Sequence, residues 1–423
     1  MRTSQLMLTM ILMLSLVVTS SAADAYDYPL RDTYAATIVG TPDGFRDDLP
    51  EVKRVDELEL TVFPEREVPE IFWYDETLRY SLAYQKGEAP LIFVIAGTGA
   101  SNRSPKMQLL QKAFYQAGYH VVSLSSPTHP NFIVSASESG LPGLMTEDAR
   151  DLYRVMELIS IKLQKRLKIS SYALTGYSLG AANAAFVSKL DETRQFFAFE
   201  KVLLINPPVS LLNSVTLLDH MLVDNLDVDD VDQFLGRVFE SFSATYQQGD
   251  FLGFNDNLLY QVYKDSQPEQ KDMAALIGFS FRISLVNMLF TSDVLTRHGY
   301  IVPKNRTLSR SDKLADYAKV AFRVSYEEYF DEFFRPFFAA RGITASREDL
   351  AAQLSLKELE SYLRQNKKIG VLTNADDLIL KPGEVDYLKQ VFGNRATIFP
   401  WGGHMGNLAY PDTLKSVTGF FTN

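Results

Sequence analysis

The sequence predicts an α/β protein with a doubly wound, mostly parallel sheet and a large, mainly helical insertion. Short apolar runs alternate with helical patterns up to residue 206, the alternation stops over residues 207–367, and it resumes over residues 368–423. Strands that alternate with helices are typical of a parallel sheet covered on both faces. We therefore predict a core of residues 24–206 and 368–423, and a cap of residues 207–367 inserted over the strand ends.

The strand patterns distinguish the edge of the sheet from its centre. Apolar and polar side chains alternate over residues 58–63 and 78–84. This pattern predicts antiparallel strands with one buried face and one solvent-exposed face. Residues 91–96 are continuously apolar, as expected of a parallel strand covered on both faces. Residues 24–55 are poorly periodic and predict an extended lead-in. Further strands are predicted in the order 119–124, 171–175, 202–205, 368–373 and 396–399.

Composition and charge exclude several classes of function. The formal net charge is -10 and the sequence has no long basic run, so nucleic acid is not an expected partner. There is no cysteine, which excludes disulfides, thiolate metal sites and a cysteine nucleophile. We expect the protein to need no metal and no organic cofactor.

The first 23 residues have the pattern of a signal peptide. Arg2 supplies a positive end, residues 6–18 are almost wholly apolar, and small residues follow. The apolar run is shorter than the roughly 20 residues that span a membrane. We expect an exported protein, periplasmic or secreted, without a stable membrane span after cleavage; an uncleaved anchor is the alternative. A second apolar stretch, residues 274–290, contains Arg282 and predicts a buried helix.

Residues 176–180, Gly-Tyr-Ser-Leu-Gly, lie between a short apolar run and an alanine-rich helical pattern. Strand, sharp turn and helix form the context in which Gly-x-Ser-x-Gly holds a nucleophilic serine. The turn forces the serine into a strained conformation, and the flanking glycines let neighbouring chains approach closely. Ser178 is thus the predicted nucleophile, the alternative being a chance occurrence of the pentapeptide.

The loop after residues 91–96 reads Gly-Thr-Gly-Ala-Ser-Asn over residues 97–102. It lacks the last glycine of a dinucleotide fingerprint and the Gly-Lys pair of a phosphate loop. In a hydrolase this loop supplies a backbone N–H to the oxyanion, here from Thr98, beside the N–H of Leu179. A plain strand-ending turn is the alternative.

Two more residues are candidates for lining a pocket. Tyr177 precedes the predicted nucleophile directly. His129 lies in a loop that leaves the predicted strand 119–124 at its carboxyl end, where open α/β sheets bind ligands.

A serine hydroxyl needs a base to take its proton and a carboxylate to orient that base. Asp376 and Asp377 follow the predicted strand 368–373. Of the five histidines, only His404 lies beyond these aspartates, in a glycine-rich loop after another predicted strand. We predict that His404 is the base and that one of the two aspartates orients it.

The order of these residues resembles that of the α/β-hydrolase superfamily, in which serine, acid and histidine each follow a defined strand. The matching residues are Ser178 in Gly-Tyr-Ser-Leu-Gly, Asp377 and His404 in Gly-Gly-His. The resemblance covers roughly residues 70–206 and 368–423.

The resemblance also implies which aspartate acts. In the superfamily, a small or proline residue and then two aliphatic residues commonly follow the acid, and we match Leu378-Ile379-Leu380, which follows Asp377, to that pattern. Asp376 is then expected to bond the backbone of its loop. The chain departs from the superfamily at the oxyanion strand, where Ala96-Gly97 replaces the usual His-Gly.

The predicted function is a serine hydrolase that cleaves carboxylic esters of hydrophobic substrates through an acyl-enzyme at Ser178. The apolar cap favours a small-molecule or lipid-like ester with a hydrophobic group. Two alternatives stay open: an amide, peptide or thioester hydrolase that uses the same three residues, and a non-catalytic binding protein that retains the fold.

Overall fold

The computed structural model describes residues 26–225, 269–343 and 346–422. The predicted signal peptide, residues 1–23, lies outside the described residues, as does part of the predicted cap, residues 226–268.

Within the described ranges, eight strands form one sheet in the order β1-β2-β4-β3-β5-β6-β7-β8 along its width. In chain order the strands are β1 (Val55–Leu60), β2 (Leu78–Ala83), β3 (Ala89–Ile95), β4 (His120–Leu124), β5 (Ile169–Tyr177), β6 (Lys201–Ile205), β7 (Ile369–Asn374) and β8 (Ala396–Phe399). β2 pairs antiparallel with β1 and β4, and the remaining pairs are parallel. The predicted, mostly parallel α/β sheet is confirmed. β2 lies one strand inside the edge and is almost wholly buried, which its alternating sequence did not predict.

The helices, in chain order, are α1 (Thr33–Val39), α2 (Pro105–Gln116), α3 (Pro130–Ser135), α4 (Met145–Leu163), α5 (Leu179–Arg194), α6 (Leu211–Val223), α7 (Gln270–Thr296), α8 (Ala315–Phe322), α9 (Tyr326–Glu328, then a π-helical segment Tyr329–Phe334, then Arg335–Ala339), α10 (Arg347–Gln353), α11 (Glu360–Gln365), α12 (Glu384–Phe392) and α13 (Pro411–Thr422). Short 3₁₀ turns occur at Asp43–Phe45, Glu70–Asp75, Leu356–Leu359 and Gly393–Arg395.

The side chains of β3 alternate between two apolar layers. Leu91, Phe93 and Ile95 face a cluster that contains residues of α4, α5 and α12. Ile92 and Val94 face a second cluster with residues of α2 and α13. Helices therefore cover both faces of the sheet, which is the doubly wound arrangement.

α7 is the central helix of a third apolar cluster, which also contains residues of α8 and α9. α7 is long and apolar enough to cross a membrane by length and composition, and 78% of its most apolar window is buried inside the protein. This agrees with the buried helix predicted for residues 274–290.

A buried ion pair connects four helices of the cap. Arg282 of α7 donates from Nη2 to Asp219 Oδ1 of α6 at 2.6 Å, and from Nη1 to the carbonyl oxygen of Phe322, the last residue of α8, at 3.0 Å. The other oxygen of Asp219 accepts from the backbone N–H of Tyr326, which begins α9, at 2.6 Å. A buried charge is tolerated when it is paired and hydrogen-bonded in this way.

The final part of the predicted cap packs on the core. Leu356, Leu359 and Leu363 belong to the same apolar cluster as the side chains of α4 and α5. α11 also packs against α12. The segment that follows α10 therefore extends the helical layer on this face of the sheet.

Asp148, in the first turn of α4, is a carboxyl group buried beside the cap. Its Oδ2 accepts from the backbone N–H of Gly143 at 2.9 Å. Burial raises the pKa of Asp148 well above its ordinary value of 3.8, and the nearby carboxylates of Asp151 and Glu147 act in the same direction.

We predict that Asp148→Asn raises the melting temperature at pH 8 but not near pH 3.5. Because folding raises the pKa of Asp148, its carboxyl group keeps a proton in the folded protein at pH values where the unfolded chain has released it. The free energy of unfolding therefore decreases as pH rises through 3.8 and beyond. Asparagine stays neutral and still offers an oxygen to Gly143. Thermal unfolding at both pH values measures the effect, at roughly 1 °C per kcal/mol for a chain of this length. The control is Asp386→Asn, at an exposed position in the first turn of α12. An equal response of the two variants at pH 8 would contradict the prediction.

Candidate active site

Ser178 lies between β5 and α5, in the strand–turn–helix predicted from its pentapeptide. Its backbone has φ 52° and ψ -127°, a conformation that is strained for a residue with a side chain. A Cβ at Gly180 would overlap the carbonyl oxygen of Ile95 in β3, and a Cβ at Gly176 would overlap the carbonyl oxygen of Gly180. Gly180 is therefore required for the close approach of α5 to β3, and Gly176 for the close approach of α5 to β5.

The structure brings Ser178, His404 and Asp377 together. The Oγ of Ser178 lies 3.0 Å from Nε2 of His404, and Nδ1 of His404 lies 3.0 and 3.1 Å from the two carboxylate oxygens of Asp377. All three residues are buried, with 7% or less of their surface exposed. In this geometry His404 can take the proton of Ser178 while Asp377 fixes its ring and tautomer.

Two donors hold the carboxylate of Asp377. The side-chain amide of Asn206, which follows β6, donates to Oδ2 at 2.8 Å. The backbone N–H of Ile379 donates to Oδ1 at 3.2 Å. Sequence reasoning missed Asn206, although its place directly after a predicted strand, at the ligand-binding edge of the sheet, is a usable signal.

Asp376 bonds both the histidine loop and α1. Its Oδ1 accepts from the backbone N–H of Gly403 at 3.0 Å, and its carbonyl oxygen accepts from the Thr33 hydroxyl at 2.7 Å. Burial raises the pKa of Asp376 above its ordinary value. Asp376 therefore connects the acid loop to the histidine loop.

α1 supports the histidine loop from the other side. The backbone N–H of His404 donates to Oγ1 of Thr37 at 2.9 Å, and that hydroxyl donates to the Thr33 carbonyl at 2.7 Å. A Cβ at Gly403 would overlap Oγ1 of Thr37. The predicted extended lead-in over residues 24–55 is wrong at this helix; Asp32, whose side chain caps α1, is the signal that could have shown it.

The two predicted oxyanion donors both adjoin Ser178. Leu179 is the first residue of α5, where a backbone N–H has no acceptor within the helix. Thr98 lies in a turn that is closed by the N–H of Ala100 to the carbonyl of Gly97 at 3.0 Å. The N–H of Gly99, which has φ +67°, donates to Oγ1 of Thr128 at 2.8 Å and fixes this turn.

Two adjoining cavities open beside Ser178, and they share Thr98, Leu179, Leu211 and Val215. The large cavity, about 500 Å³ with its opening, is further lined by Thr128, Pro142, Gly143, Leu212, Met288, Tyr326, Tyr329, Phe330, Phe334 and Leu354. The small cavity, about 280 Å³, is further lined by Ser178, Pro208, Ser214, Leu218, Phe281 and Ile379. Residues of α6, α7 and α9 thus cover the strand ends, where the cap was predicted to lie.

Neither Tyr177 nor His129 lines these cavities, contrary to expectation. Tyr177 points to the opposite face of the sheet, where its hydroxyl lies 3.2 Å from Oγ of Ser104. His129 caps α3 instead, because its Nδ1 accepts from the N–H of Asn131 at 3.2 Å. Burial and the nearby Arg79 lower the pKa of His129 to about 4. Its neighbour Thr128 lines the large cavity instead.

We predict that Asp377→Asn lowers kcat on an ester by about 10⁴, because the amide favours the wrong imidazole tautomer. Asp376→Asn is the matched neutralisation one residue away, and its oxygen can still accept from Gly403. Asp376→Asn should lower kcat by less than about tenfold. Steady-state kinetics of both variants on one substrate, with melting temperatures for both, decides between them. A larger loss at Asp376 would mean that Asp377 is not the orienting acid.

We also predict that Thr37→Val lowers kcat by roughly tenfold, because valine keeps the shape of threonine but leaves the buried N–H of His404 without its acceptor. Thr37→Ser retains the hydroxyl and should recover most of the activity. The measurement is kcat against pH for the three proteins. Equal kcat values for wild type and Thr37→Val would show that α1 does not position His404.

Neither a family model nor a curated protein matches this sequence. Among solved structures, the chain is similar to the esterase Pf2001 of Pyrococcus furiosus, with 11% identity and a TM-score of 0.41 over 87% of this chain and 90% of that one. It is also similar to brefeldin A esterase, a bacterial homologue of human hormone-sensitive lipase, with 12% identity and a TM-score of 0.43 over 93% and 87%. A thioesterase domain from the curacin biosynthetic pathway has 12% identity and a TM-score of 0.39 over 88% and 100%.

Three features of the chain define its fold: the parallel sheet from β4 to β8, the strained turn between β5 and α5, and the chain order of Ser178, Asp377 and His404. On these features the chain has the fold of the α/β-hydrolase superfamily.

Proposed function

We propose that this protein is a serine hydrolase that cleaves carboxylic esters of hydrophobic substrates through an acyl-enzyme at Ser178. The observation that carries the proposal is the continuous chain of contacts from Ser178 Oγ through His404 to Asp377, with both steps at about 3.0 Å. A binding protein has no need to keep a serine in a strained turn beside a buried, oriented imidazole.

In the acylation step, Oγ of Ser178 attacks the ester carbonyl while Nε2 of His404 takes the hydroxyl proton. The carbonyl oxygen becomes an oxyanion, for which the N–H groups of Leu179 and Thr98 are the proposed donors. Loss of one such donor typically costs about 2.7–4 kcal/mol of transition-state stabilisation. His404 then gives its proton to the departing alkoxide, and the acyl group stays on Ser178.

In the deacylation step, His404 takes a proton from water, and the resulting hydroxide attacks the acyl carbon. The bond from that carbon to Oγ breaks, and the proton returns from His404 to Ser178. Asp377 holds the imidazole in one orientation throughout and stabilises its positive charge without taking the proton.

The character of the cavities supports a hydrophobic substrate. Most side chains around the large cavity are aliphatic or aromatic, as in sites that bind apolar small molecules. A charged group placed there would lose its hydration without gaining a partner. Uncharged esters with an apolar group therefore fit best.

We predict that Ser178→Ala lowers kcat on an ester by about 10⁶ and abolishes labelling by a fluorophosphonate. Alanine and serine carry the same strain at φ 52°, so the melting temperature should change little. Peptide mapping of the labelled wild-type protein should locate the adduct at Ser178. Ser416→Ala, at a partly exposed position in α13, is the control and should be labelled normally. Absence of labelling in the wild type, or labelling elsewhere, would contradict the proposal.

A further inference from the structure

The two cavities lie on opposite sides of Ser178 along the sheet. In the sheet order, β4 and β3 lie on one side of β5, and β6, β7 and β8 lie on the other. The core residues that line only the large cavity, Thr128, Pro142 and Gly143, come from the chain that follows β4. Apart from Ser178 and residues of α6 and α7, the residues that line only the small cavity are Pro208, which follows β6, and Ile379, which follows β7.

We infer that the large cavity binds the acyl chain of the ester and the small cavity binds its alcohol. The preferred substrates are then esters of long, unbranched, uncharged acyl groups with short alcohols. This inference rests on the proposed function, and it adds the division of the substrate between the two cavities.

The position of His404 sets the direction of the substrate. His404 follows β8, on the same side of Ser178 as the small cavity. The small cavity also adjoins the acid, because the N–H of its lining residue Ile379 donates to Asp377. Nε2 of His404 must deliver its proton to the oxygen of the leaving alcohol. The alcohol therefore points toward the small cavity, and the acyl chain must leave the carbonyl on the other side, through the large one.

The large cavity offers few polar groups to a bound chain, although two tyrosines line it. The hydroxyl of Tyr326 donates to the carbonyl of Phe281 at 3.1 Å, and the hydroxyl of Tyr329 donates to the carbonyl of Pro142 at 3.4 Å. The two phenols therefore present ring carbons to the cavity, alongside Met288. Such a surface favours methylene groups, each of which contributes about fourfold to affinity when it is fully buried.

The small cavity is limited by groups that are already bonded to one another. Oγ of Ser214 in α6 donates to the carbonyl of Ile379 at 2.7 Å. Asn213, its neighbour in α6, donates from Nδ2 to Oε1 of Glu384 at 2.9 Å. Because α6 is tied to the acid loop and to α12 in this way, the small cavity cannot widen without breaking buried hydrogen bonds. It therefore suits a short alcohol.

In this arrangement the atoms balance as in ordinary ester hydrolysis. The bond from Ser178 Oγ to the acyl carbon forms, the bond from that carbon to the alkoxy oxygen breaks, and the short alcohol leaves with the proton from His404. Water then releases the long-chain acid, which leaves through the large cavity.

The decisive experiment compares two isomeric esters, ethyl octanoate and octyl acetate. They have the same formula and both release a primary alcohol, so they differ in which side of the ester carries the chain. Values of kcat/KM are measured by titration of the released acid, below the solubility limit of both esters. We expect ethyl octanoate to be hydrolysed at least tenfold more efficiently than octyl acetate. Equal values, or a preference for octyl acetate, would overturn the inference.

A pair of variants in α6 tests which cavity binds the acyl chain of the ester. Leu212 lines only the large cavity, so Leu212→Trp should lower kcat/KM for ethyl octanoate at least tenfold more than it lowers kcat/KM for ethyl acetate. Leu217, partly exposed in the same helix, lines neither cavity, and Leu217→Trp should change neither substrate. Melting temperatures check that both variants fold. Equal losses of kcat/KM on both esters with Leu212→Trp would contradict the assignment of the acyl chain to the large cavity. The comparison of the two isomers uses the wild-type protein alone.

Failure of this inference is distinguishable from failure of the proposed function. If the wild-type protein hydrolyses no ester and takes no fluorophosphonate label, the proposed function fails. If it takes the label at Ser178 and hydrolyses ethyl acetate, but shows no preference between the isomers, only the division of the substrate between the two cavities fails.

Discussion

The close approach of α5 to β3 is the constraint on which the candidate site depends. Gly180 lies directly against the carbonyl oxygen of Ile95, where no side chain would fit. This contact brings the first N–H of α5, that of Leu179, next to the turn that follows β3 and holds Thr98. It also fixes the strained turn that projects Ser178 from the sheet. The proposed nucleophile Ser178, the proposed oxyanion donors and the wall shared by both cavities therefore all depend on one backbone contact between a helix and a strand.

The base and the acid are held in a different way, by groups from outside their own loops. Asp377 is fixed by Asn206 from the neighbouring strand end, and His404 by Thr37 from α1. Asp376 then joins the two loops to each other through the N–H of Gly403. Catalytic geometry has to be held within fractions of an ångström, and loops reach that precision only when buried partners fix them. The N-terminal helix is accordingly part of the site, although it lies far from Ser178 in sequence.

The sequence predicted those parts of the molecule that are encoded locally. Ser178 was predictable because its glycines, strand and helix are neighbours in the chain, and His404 because it alone follows the acid. The pocket was not predictable, since its walls come from separate segments whose side-chain directions depend on packing. Tyr177 and His129 show this: both are adjacent in sequence to residues that line a cavity, yet both point elsewhere because they bond other groups. Thr37 was missed for the same reason, because its role exists only through contact with a loop more than 300 residues away.

The shape of the large cavity depends on polar contacts that do not touch it. Its walls come from α6, α7 and α9, and these helices meet at the buried pair of Asp219 and Arg282, whose carboxylate also holds the N–H of Tyr326. Apolar contacts alone tolerate small shifts of one helix against another, whereas a buried charge without its partner costs several kcal/mol, so the pair restricts the helices to one alignment. Ser214 of α6 then fixes that alignment relative to the acid loop, through its bond to Ile379. The walls of the large cavity and the position of Asp377 thus depend on one connected set of buried hydrogen bonds.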